Sequence, residues 1–274
     1  MTAPKYPGTG FPSILDRAYM EYKRHMKVED IMTRDVVTTT PEESMSEGAR
    51  VMGEKHIGSL IVVKYGTPIA IVTERDLFSR VIAGGLSLEG IPVEQVMSYP
   101  LIKICPDMEI REAARTMIRK KGRLAVFGCG DITGVITASD LIRELPEAPE
   151  TTLVVDDFMS RKVITLDESQ SIANAARIMG EKRIGSVIVT MDGIPGGIFT
   201  ERDLLSSYLA TGRPLEVPVG EACSSPLVTA PVGISIHKAA KTMAAKHIRR
   251  LLLKKKDKIA GIITARDLVE AYAK

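Results

Sequence analysis

A four-residue phrase, Thr-x-x-Asp, recurs at a nearly fixed interval and constrains the fold more than any other feature of the chain. The phrases begin at Thr73, Thr137, Thr200 and Thr264, which are 64, 63 and 64 residues apart. Each phrase follows an apolar run and precedes leucine and a helical pattern, so each is expected where a strand gives way to a helix. At such a helix start, backbone N–H groups are unpaired and the helix dipole is positive. The chain is therefore predicted to consist of four structural repeats.

The repeats are related as a duplicated pair. Residues 52–59 (Met-Gly-Glu-Lys-His-Ile-Gly-Ser) match residues 179–186 at an offset of 127, which also separates the first phrase from the third. The second and fourth repeats carry Arg-Leu, at Arg123 and Arg250, where the odd repeats have serine and an apolar residue. A single unit of about 60 residues has too little core to be stable alone. We therefore expect two modules of two repeats each.

Each repeat is predicted to fold as a β-α-β-β-α unit, which gives an α/β (α+β) fold class. In the first repeat we expect a strand over residues 35–38, a helix capped by Thr40-Pro-Glu-Glu43, and a hairpin of strands over 60–63 and 69–72. One methionine per repeat falls at an equivalent helical position and is expected in the core: Met52, Met117, Met179 and Met243. The predicted divisions are an N-terminal arm (1–27), repeats 28–92 and 93–145, a linker (146–154), and repeats 155–218 and 219–274.

Composition narrows the function classes. No apolar run approaches the roughly 20 residues that span a membrane, and the start of the chain lacks a signal-peptide pattern. The three cysteines are far apart and the four histidines are not at ligand spacing, so no disulfide framework or metal site is expected. His56 and His247 are predicted at a cleft edge or on the surface. A cytoplasmic protein is expected, and not an enzyme, since no nucleophile–base pair, catalytic acid pair or Walker loop is found.

The repeats resemble the CBS domain, named after cystathionine β-synthase. The resemblance covers residues 28–274 and rests on the apolar hairpin, on Met-Thr or Met-Ser near the repeat starts, and on a longer motif, Gly-x-x-Thr-x-x-Asp-Leu. That motif starts at Gly134, Gly197 and Gly261. Ala70 replaces its glycine in the first repeat, and Cys223 replaces the early methionine in the fourth. The resemblance implies that paired repeats form two Bateman modules, each with two clefts.

The same resemblance implies that the clefts bind adenosine compounds. The expected ligands are AMP, ADP or ATP, with S-adenosylmethionine or a cyclic dinucleotide as alternatives. The aspartate accepts hydrogen bonds from the ribose hydroxyls, while the threonine and the helix start face ribose or phosphate. The residues implied are Thr73, Asp76, Thr137, Asp140, Thr200, Asp203, Thr264 and Asp267. The base is expected beside the first strand of a repeat, near Val37, Ile102, Ile164 and Val228.

Phosphate groups require cations. Arg123 and Arg250 stand where the γ subunit of the AMP-activated kinase, by this resemblance, keeps a phosphate-binding arginine, and Arg249 lies beside the latter. Ser139 replaces arginine in the second phrase, so the second cleft is expected to be the weaker phosphate site. Thr-x-x-Asp is also a helix cap, and capping and ligand binding can coexist. Further candidates lie within the phrases: Arg75, Arg202 and Arg266.

Residues 1–27 form an arm of different composition. They carry five basic and two acidic residues, a charge of +3, whereas the rest of the chain is formally neutral. A helix is expected from Ser13 to about Lys27. Basic segments with tyrosine and phenylalanine neutralise phosphates and stack on bases, so one reading is contact with RNA or the ribosome. The other is packing on its own modules or on a second subunit. The candidate contact residues are Lys5, Tyr6, Phe11, Arg17, Lys23 and Arg24.

Two functions follow from these patterns. The first is a non-catalytic regulatory protein that binds an adenine nucleotide and signals to a partner macromolecule. The alternative is an RNA- or ribosome-binding regulator of translation that acts partly through the arm. The sequence leaves open whether the two modules pair within one chain or across a homodimer.

Overall fold

A computed structural model describes residues 25–82, 88–144 and 153–274 of the 274-residue chain. They form four repeats of one plan: a short strand, a helix, a two-stranded hairpin and a second helix. The three strands of each repeat form one mixed sheet, in which the first strand runs parallel to the central strand and the hairpin is antiparallel. The predicted α/β fold class is confirmed.

The elements are numbered in chain order. The first repeat contains α1 (Val28–Ile31), β1 (Thr38–Thr39), α2 (Met45–Glu54), β2 (Ser59–Lys64), β3 (Thr67–Thr73) and α3 (Glu74–Asp76), which π-helical Leu77–Val81 continues. The second contains β4 (Lys103–Ile104), α4 (Ile110–Lys120), β5 (Leu124–Gly128), β6 (Asp131–Ile136) and α5 (Ala138–Arg143). The third contains β7 (Thr165–Asp167), α6 (Ile172–Lys182), β8 (Ser186–Met191), β9 (Ile194–Thr200) and α7 (Glu201–Leu204), continued by π-helical Leu205–Leu209. The fourth contains β10 (Thr229–Pro231), α8 (Ile236–Ala245), β11 (Arg250–Lys255), β12 (Lys258–Thr264) and α9 (Ala265–Ala273).

Helix α2 begins later than the sequence predicted. Its N-cap is Ser44, whose side chain accepts a hydrogen bond from the Glu47 N–H at 3.1 Å. The residues from Thr40 onward form a turn instead, and the backbone of this turn is hydrogen-bonded to a segment outside the helix. The Glu94 N–H donates to the Pro41 carbonyl at 2.9 Å. The predicted cap at Thr40 was therefore wrong by one turn of helix.

The first strand is also displaced, from the predicted residues 35–38 to β1. Thr33 pairs with Val135 of the second repeat, whereas Thr38 pairs with Ile61 of its own repeat. The chain must cross from one sheet to the other between these pairings, which leaves residues 35–37 outside a regular strand. The Val37 carbonyl still accepts a hydrogen bond from the Ile61 N–H at 3.0 Å.

The start of each repeat packs on its partner repeat rather than on its own. Val28 is fully buried in the core of the second repeat, and its N–H donates to the Met108 carbonyl at 2.9 Å. In the other direction, Ser98 from the start of the second repeat pairs with Ile71 on β3. Each module is thus tied together by two exchanged segments.

This exchange explains the glycine of the longer repeated motif. A Cβ atom on Gly134 would lie 2.6 Å from the Met32 Sδ and 3.0 Å from the Thr33 carbonyl oxygen. On Gly261 it would lie 2.7 Å from the Met159 Sδ. In the second and fourth repeats the hairpin therefore has glycine where the starting methionine of the partner repeat crosses it, whereas the first repeat accommodates Ala70 there.

Two large cores join the modules to each other. One combines apolar residues of the first and third repeats, including Phe78 and Phe199, and the other combines the second and fourth repeats. The four methionines predicted in the core are at most 2% exposed, which confirms that prediction: Met52, Met117, Met179 and Met243. A smaller cluster packs the sheets of the first two repeats face to face: Ile61, Ile71, Leu101 and Ala125. The two modules therefore pair within one chain.

Parts of the arm and linker predictions lie outside the described residues, namely 1–24 and 145–152. The predicted arm helix does not extend to Lys27, which has extended backbone angles and pairs with Glu109 as an antiparallel bridge. Within the described ranges, no helix combines the length and apolarity needed to cross a membrane.

Candidate functional site

All four phrases form the same closed cap at a helix start. In each phrase, one oxygen of the aspartate, Oδ2, accepts hydrogen bonds from both the backbone N–H and the hydroxyl of the threonine. At Asp76 these distances to Thr73 are 2.9 and 2.6 Å. The cap therefore engages one carboxylate oxygen and leaves the other, Oδ1, for a different partner.

In the first module, Oδ1 has an arginine partner from the following helical turn. Asp76 Oδ1 lies 3.6 Å from the Arg80 Nη2 and also accepts a hydrogen bond from the Ser98 hydroxyl at 3.0 Å. Asp140 Oδ1 accepts a hydrogen bond from Arg143 Nη2. Both aspartates are buried. Any diol that used these carboxylates would have to share them with the arginines.

The aspartates of the second module are in a different electrostatic environment. Burial raises the pKa of Asp203 and of Asp267, although hydrogen bonds from the capping threonines act in the opposite direction. The nearby Glu270 carboxylate raises the pKa of Asp267 further. At the offset of 127, Glu270 corresponds to Arg143. Asp140 and Asp267 thus have opposite charges beside them, although they are equivalent in sequence.

A cavity of about 400 Å³ lies beside Asp140, and we call it the Asp140 cleft. Val36, Val37 and Ile61 of the first repeat line it with apolar side chains, and Thr137 and Asp140 of the second repeat line it with polar ones. This volume is in the range of small-molecule sites. The cleft therefore combines an apolar surface suited to a flat base with a carboxylate suited to a diol.

Besides Arg143, three arginines from three different repeats line the same cleft. Arg123 belongs to the second repeat, Arg202 to the third and Arg249 to the fourth. The sequence argument made the second cleft the weaker phosphate site because Ser139 replaces arginine there. Neighbouring repeats thus bring positive charge to this cleft that Ser139 does not supply, and its rank as a phosphate site stays a prediction.

Arg123 lies against the backbone of the first repeat at Gly58. Its Nη1 donates to the Ser59 hydroxyl at 2.7 Å, and a Cβ atom on Gly58 would lie 2.7 Å from its Nη2. Burial lowers the pKa of Arg123, while the Glu74 carboxylate acts in the opposite direction. The repeated Ile-Gly-Ser sequence thus makes room for a guanidinium from the partner repeat. Gly185 and Arg250 repeat this contact in the second module.

Glu74 lies behind the other two arginines and is only 5% exposed. Its carboxylate oxygens lie 3.2 Å from Arg202 Nη2 and 3.6 Å from Arg249 Nη1. Burial lowers the pKa of Arg249 to about 10, which still leaves it charged near neutral pH. The Arg202 Nε is buried and lacks a hydrogen-bond partner among the residues that the structure describes. One buried donor of this arginine is therefore left unsatisfied by the described residues.

Glu201 is the counterpart of Glu74 in the third phrase. Its carboxylate lies 3.3 Å from Arg250 Nη2 and 3.9 Å from Arg75 Nε. Burial raises the pKa of Glu201, and the two arginines act against that rise. The first and third phrases thus exchange glutamate–arginine contacts across the module boundary. Sequence reasoning missed both glutamates, although the odd phrases read Thr-Glu-Arg-Asp and the even ones have alanine in place of glutamate.

The remaining predicted phosphate ligands lie in other places. Arg75 lines a cleft beside Asp76, together with Arg80, Lys121, Arg183 and Glu201. Arg75 also shares a surface depression with Arg266 and Glu270, and burial lowers the pKa of Arg266. The structure therefore does not gather all of the predicted arginines at one site.

The residues predicted beside the base occupy one equivalent position in each repeat. Their carbonyls accept hydrogen bonds from the central strand at 3.0, 2.9, 2.9 and 3.4 Å, at Val37, Ile102, Ile164 and Val228. Of these four, Val37 lines the Asp140 cleft. Contact between any of the four and a base stays a prediction.

Two further sequence predictions concern histidines and the arm. His56 and His247 line the Asp140 cleft, as predicted for the cleft edge. In the described part of the chain, no group of three or more His, Cys, Asp or Glu side chains is arranged to hold a metal ion. The residues predicted to contact RNA lie outside the described residues, so that contact stays a prediction: Lys5, Tyr6, Phe11, Arg17, Lys23 and Arg24.

Comparison with protein families agrees with the fourfold pattern. The family model of the CBS domain matches residues 28–83, 93–147, 155–210 and 219–274. Protein MJ1404 of Methanocaldococcus jannaschii is 29% identical over 271 residues, which are 90% of this chain and 62% of that protein. Protein MK0525 of Methanopyrus kandleri is 35% identical over 126 residues, 45% of this chain and 64% of that protein. The matched region thus spans less than two thirds of the length of each of these relatives.

Two crystal structures share the whole architecture. Protein MJ1225 of Methanocaldococcus jannaschii, described as a proposed archaeal homologue of g-AMPK, has a TM-score of 0.74 at 23% identity. That match covers 90% of this chain and 100% of the other. A conserved protein from Pyrococcus horikoshii has a TM-score of 0.62 at 21% identity, with the same coverage. At these identities the likeness concerns the fold.

Proposed function

The chain belongs to the CBS-domain family, with four tandem CBS domains, and from this premise we propose that it is a non-catalytic regulatory protein that binds an adenine nucleotide. The proposed site is the Asp140 cleft. Binding there would change the surface that the two modules present to a partner macromolecule. MJ1225 is described as a proposed homologue of g-AMPK, which is in keeping with this role.

One observation supports the proposal: the lining of the Asp140 cleft combines the three kinds of group that a nucleotide needs. Val36 and Val37 offer an apolar surface for the base, and the Asp140 carboxyl group offers an acceptor for the ribose hydroxyls. Arg202 and Arg249 line the same cleft and offer donors for phosphate. A cavity with mostly apolar walls and a few converging charged groups is the usual form of a small-molecule site.

The contribution of all four repeats to one cleft suggests how a signal arises. Val36, Asp140, Arg202 and Arg249 belong to the first, second, third and fourth repeats respectively. A ligand that contacts all four favours one relative arrangement of the modules over others. A ligand shifts a protein between two states only by binding them differently, and this cleft provides such a difference.

The proposal is tested by calorimetric titration of the full chain with AMP, ADP, ATP, S-adenosylmethionine and cyclic di-AMP. A ligand at 100 times its dissociation constant adds about 2.7 kcal/mol to the free energy of unfolding, so a thermal-shift screen detects it first. Asp140→Ala should abolish or strongly weaken binding at the cleft. Because that change also removes a helix cap, Ser171→Ala is the matched control. The Ser171 side chain caps α6 by accepting a hydrogen bond from the Asn174 N–H at 3.1 Å. If none of the five compounds binds saturably, the proposal is rejected.

A further inference from the structure

We propose that Glu74 sets the number of negative charges that the Asp140 cleft accepts, and that the cleft selects a nucleotide with a single phosphate dianion. The inference rests on the proposed function, because it concerns the phosphate end of the same cleft. Glu74 does not line the cavity but contacts two arginines that do, Arg202 and Arg249. It is therefore a positioning residue that acts on the ligand through those arginines.

The charges at the centre of the four repeats do not cancel. Two buried glutamates are surrounded by four arginines that are half-buried or more: Arg123, Arg202, Arg249 and Arg250. Four guanidinium groups against two carboxylates leave two positive charges, since arginine stays protonated in proteins. A phosphate monoester near pH 7 carries about −1.5 to −2. One terminal phosphate therefore balances the centre.

The other charged groups of the cleft do not alter this balance much. Asp140 is paired with Arg143, so that pair contributes no net charge. Asp35 is exposed, where solvent screens its charge. His56 and His247 also line the cleft. The charge balance around Glu74 is thus set by the arginines and by Glu74 itself.

Glu74 leaves room for one anion and opposes a larger negative charge. It contacts Nη2 of Arg202, whereas the buried Nε of Arg202 has no partner among the described residues. Arg202 also lines the cleft, so its guanidinium can meet a phosphate there while Glu74 keeps its own contact. A triphosphate brings further negative charge into a buried region that already holds the Glu74 carboxylate, where repulsion is poorly screened. Removing the Glu74 charge should therefore favour the more highly charged nucleotide.

The test compares AMP with ATP by calorimetry on the full chain, in buffer without divalent cations so that ATP keeps its full charge. The wild-type protein should bind AMP more tightly than ATP. Glu74→Gln, which removes the charge, should shift the affinity ratio towards ATP by about tenfold or more. Glu74→Asp keeps the charge and should leave the ratio nearly unchanged. Glu181→Gln is the matched control, since its partner Arg177 does not line the cleft and the pair lies outside the buried charge cluster.

The outcomes separate this inference from the proposed function. If no nucleotide binds the wild-type protein, both are rejected. If nucleotides bind but ATP binds more tightly than AMP, or if Glu74→Gln changes both affinities by the same factor, only the charge selection by Glu74 is rejected. Should circular dichroism show that Glu74→Gln is unfolded, Arg202→Gln replaces it. That variant lowers the positive charge and should shift the ratio towards AMP, and an unchanged ratio would overturn the inference.

Discussion

The guanidinium of Arg202 lies 3.2 Å from the carboxylate of Glu74, although the two residues are 128 positions apart in the chain. This contact joins the third phrase to the first, and the weaker approach of Arg75 to Glu201, at 3.9 Å, is its counterpart. The helix starts of two different modules therefore meet directly. The buried charges of the two modules therefore form one contiguous cluster.

The first prediction follows from this contact. Arg202→Met should weaken nucleotide binding at the Asp140 cleft by about 10- to 100-fold, because a hydrogen bond to a charged group contributes about 1.5–3 kcal/mol. Isothermal calorimetry measures the loss. Arg177→Met is the matched control, since Arg177 lies on the exposed face of α6 and pairs with Glu181. Equal affinities for the wild-type protein and Arg202→Met would contradict a role for Arg202 in phosphate binding.

The second prediction concerns the exchanged repeat starts. Gly134→Ala should lower the free energy of unfolding by about 1–3 kcal/mol, because the new methyl group would be only 3.0 Å from the Thr33 carbonyl oxygen and 2.6 Å from the Met32 Sδ. Urea denaturation measures the change. At Gly90 a Cβ atom meets nothing within 4 Å, so Gly90→Ala should leave stability nearly unchanged. Similar destabilisation in both variants would show that the close approach is not the cause.

The third prediction concerns the shared cores. Phe199→Ala should reduce the free energy of unfolding by about 3–5 kcal/mol, because Phe199 is fully buried in the core that joins the first and third repeats. Because both large cores span both modules, calorimetry should record one transition that moves as a whole. Ile194→Ala, at a side chain 69% exposed, is the control and should change little. If calorimetry recorded two unfolding transitions and the substitution shifted only one of them, joint unfolding of the modules would be refuted.

The fourth prediction concerns pH. Burial raises the pKa of Asp267 above that of an ordinary aspartate, so the folded chain holds this proton more tightly than the unfolded chain does. The contribution of Asp267 is therefore most favourable below the ordinary pKa of about 4 and is lost as pH rises through the raised value. Asp267→Asn lacks this loss. The free energy of unfolding of Asp267→Asn minus that of the wild type should therefore rise with pH across that window and then level off. Urea denaturation at several pH values measures this difference. A difference independent of pH would contradict the raised pKa.

Much of the repeat was predictable because its signals are local. The capping box depends on residues three apart, and the core methionines follow the helical period. The start of α2 was not predictable in this way. Thr40 and Ser44 are both good caps, and the choice between them is made by Glu94, whose N–H bonds to the Pro41 carbonyl from the next repeat. Contacts between segments distant in sequence decided this boundary.

The candidate site was predicted in its parts but not in its assembly. The aspartates and several arginines were expected from the phrases and the family resemblance. The sequence contains no local signal that Arg202 and Arg249 approach the cleft of the second phrase from the other module. Glu74 was overlooked because, read alone, it is an ordinary acidic residue in the first turn of a helix. Its role becomes apparent only when its buried position between two arginines is known.

The first repeat packs on the third and the second on the fourth, so equivalent repeats contact each other across the boundary between the modules. A two-repeat chain that associated with its own copy about a two-fold axis would bury the same faces. The protein therefore has the architecture of a homodimer whose subunits have become covalently joined. Once joined, the halves are free to diverge. At the offset of 127, Arg249 corresponds in sequence to Gly122, and Glu270 corresponds to Arg143. A homodimer must repeat every residue twice, whereas this fused chain can place Arg249 beside the Asp140 cleft and a glycine, Gly122, at the equivalent position of the first module.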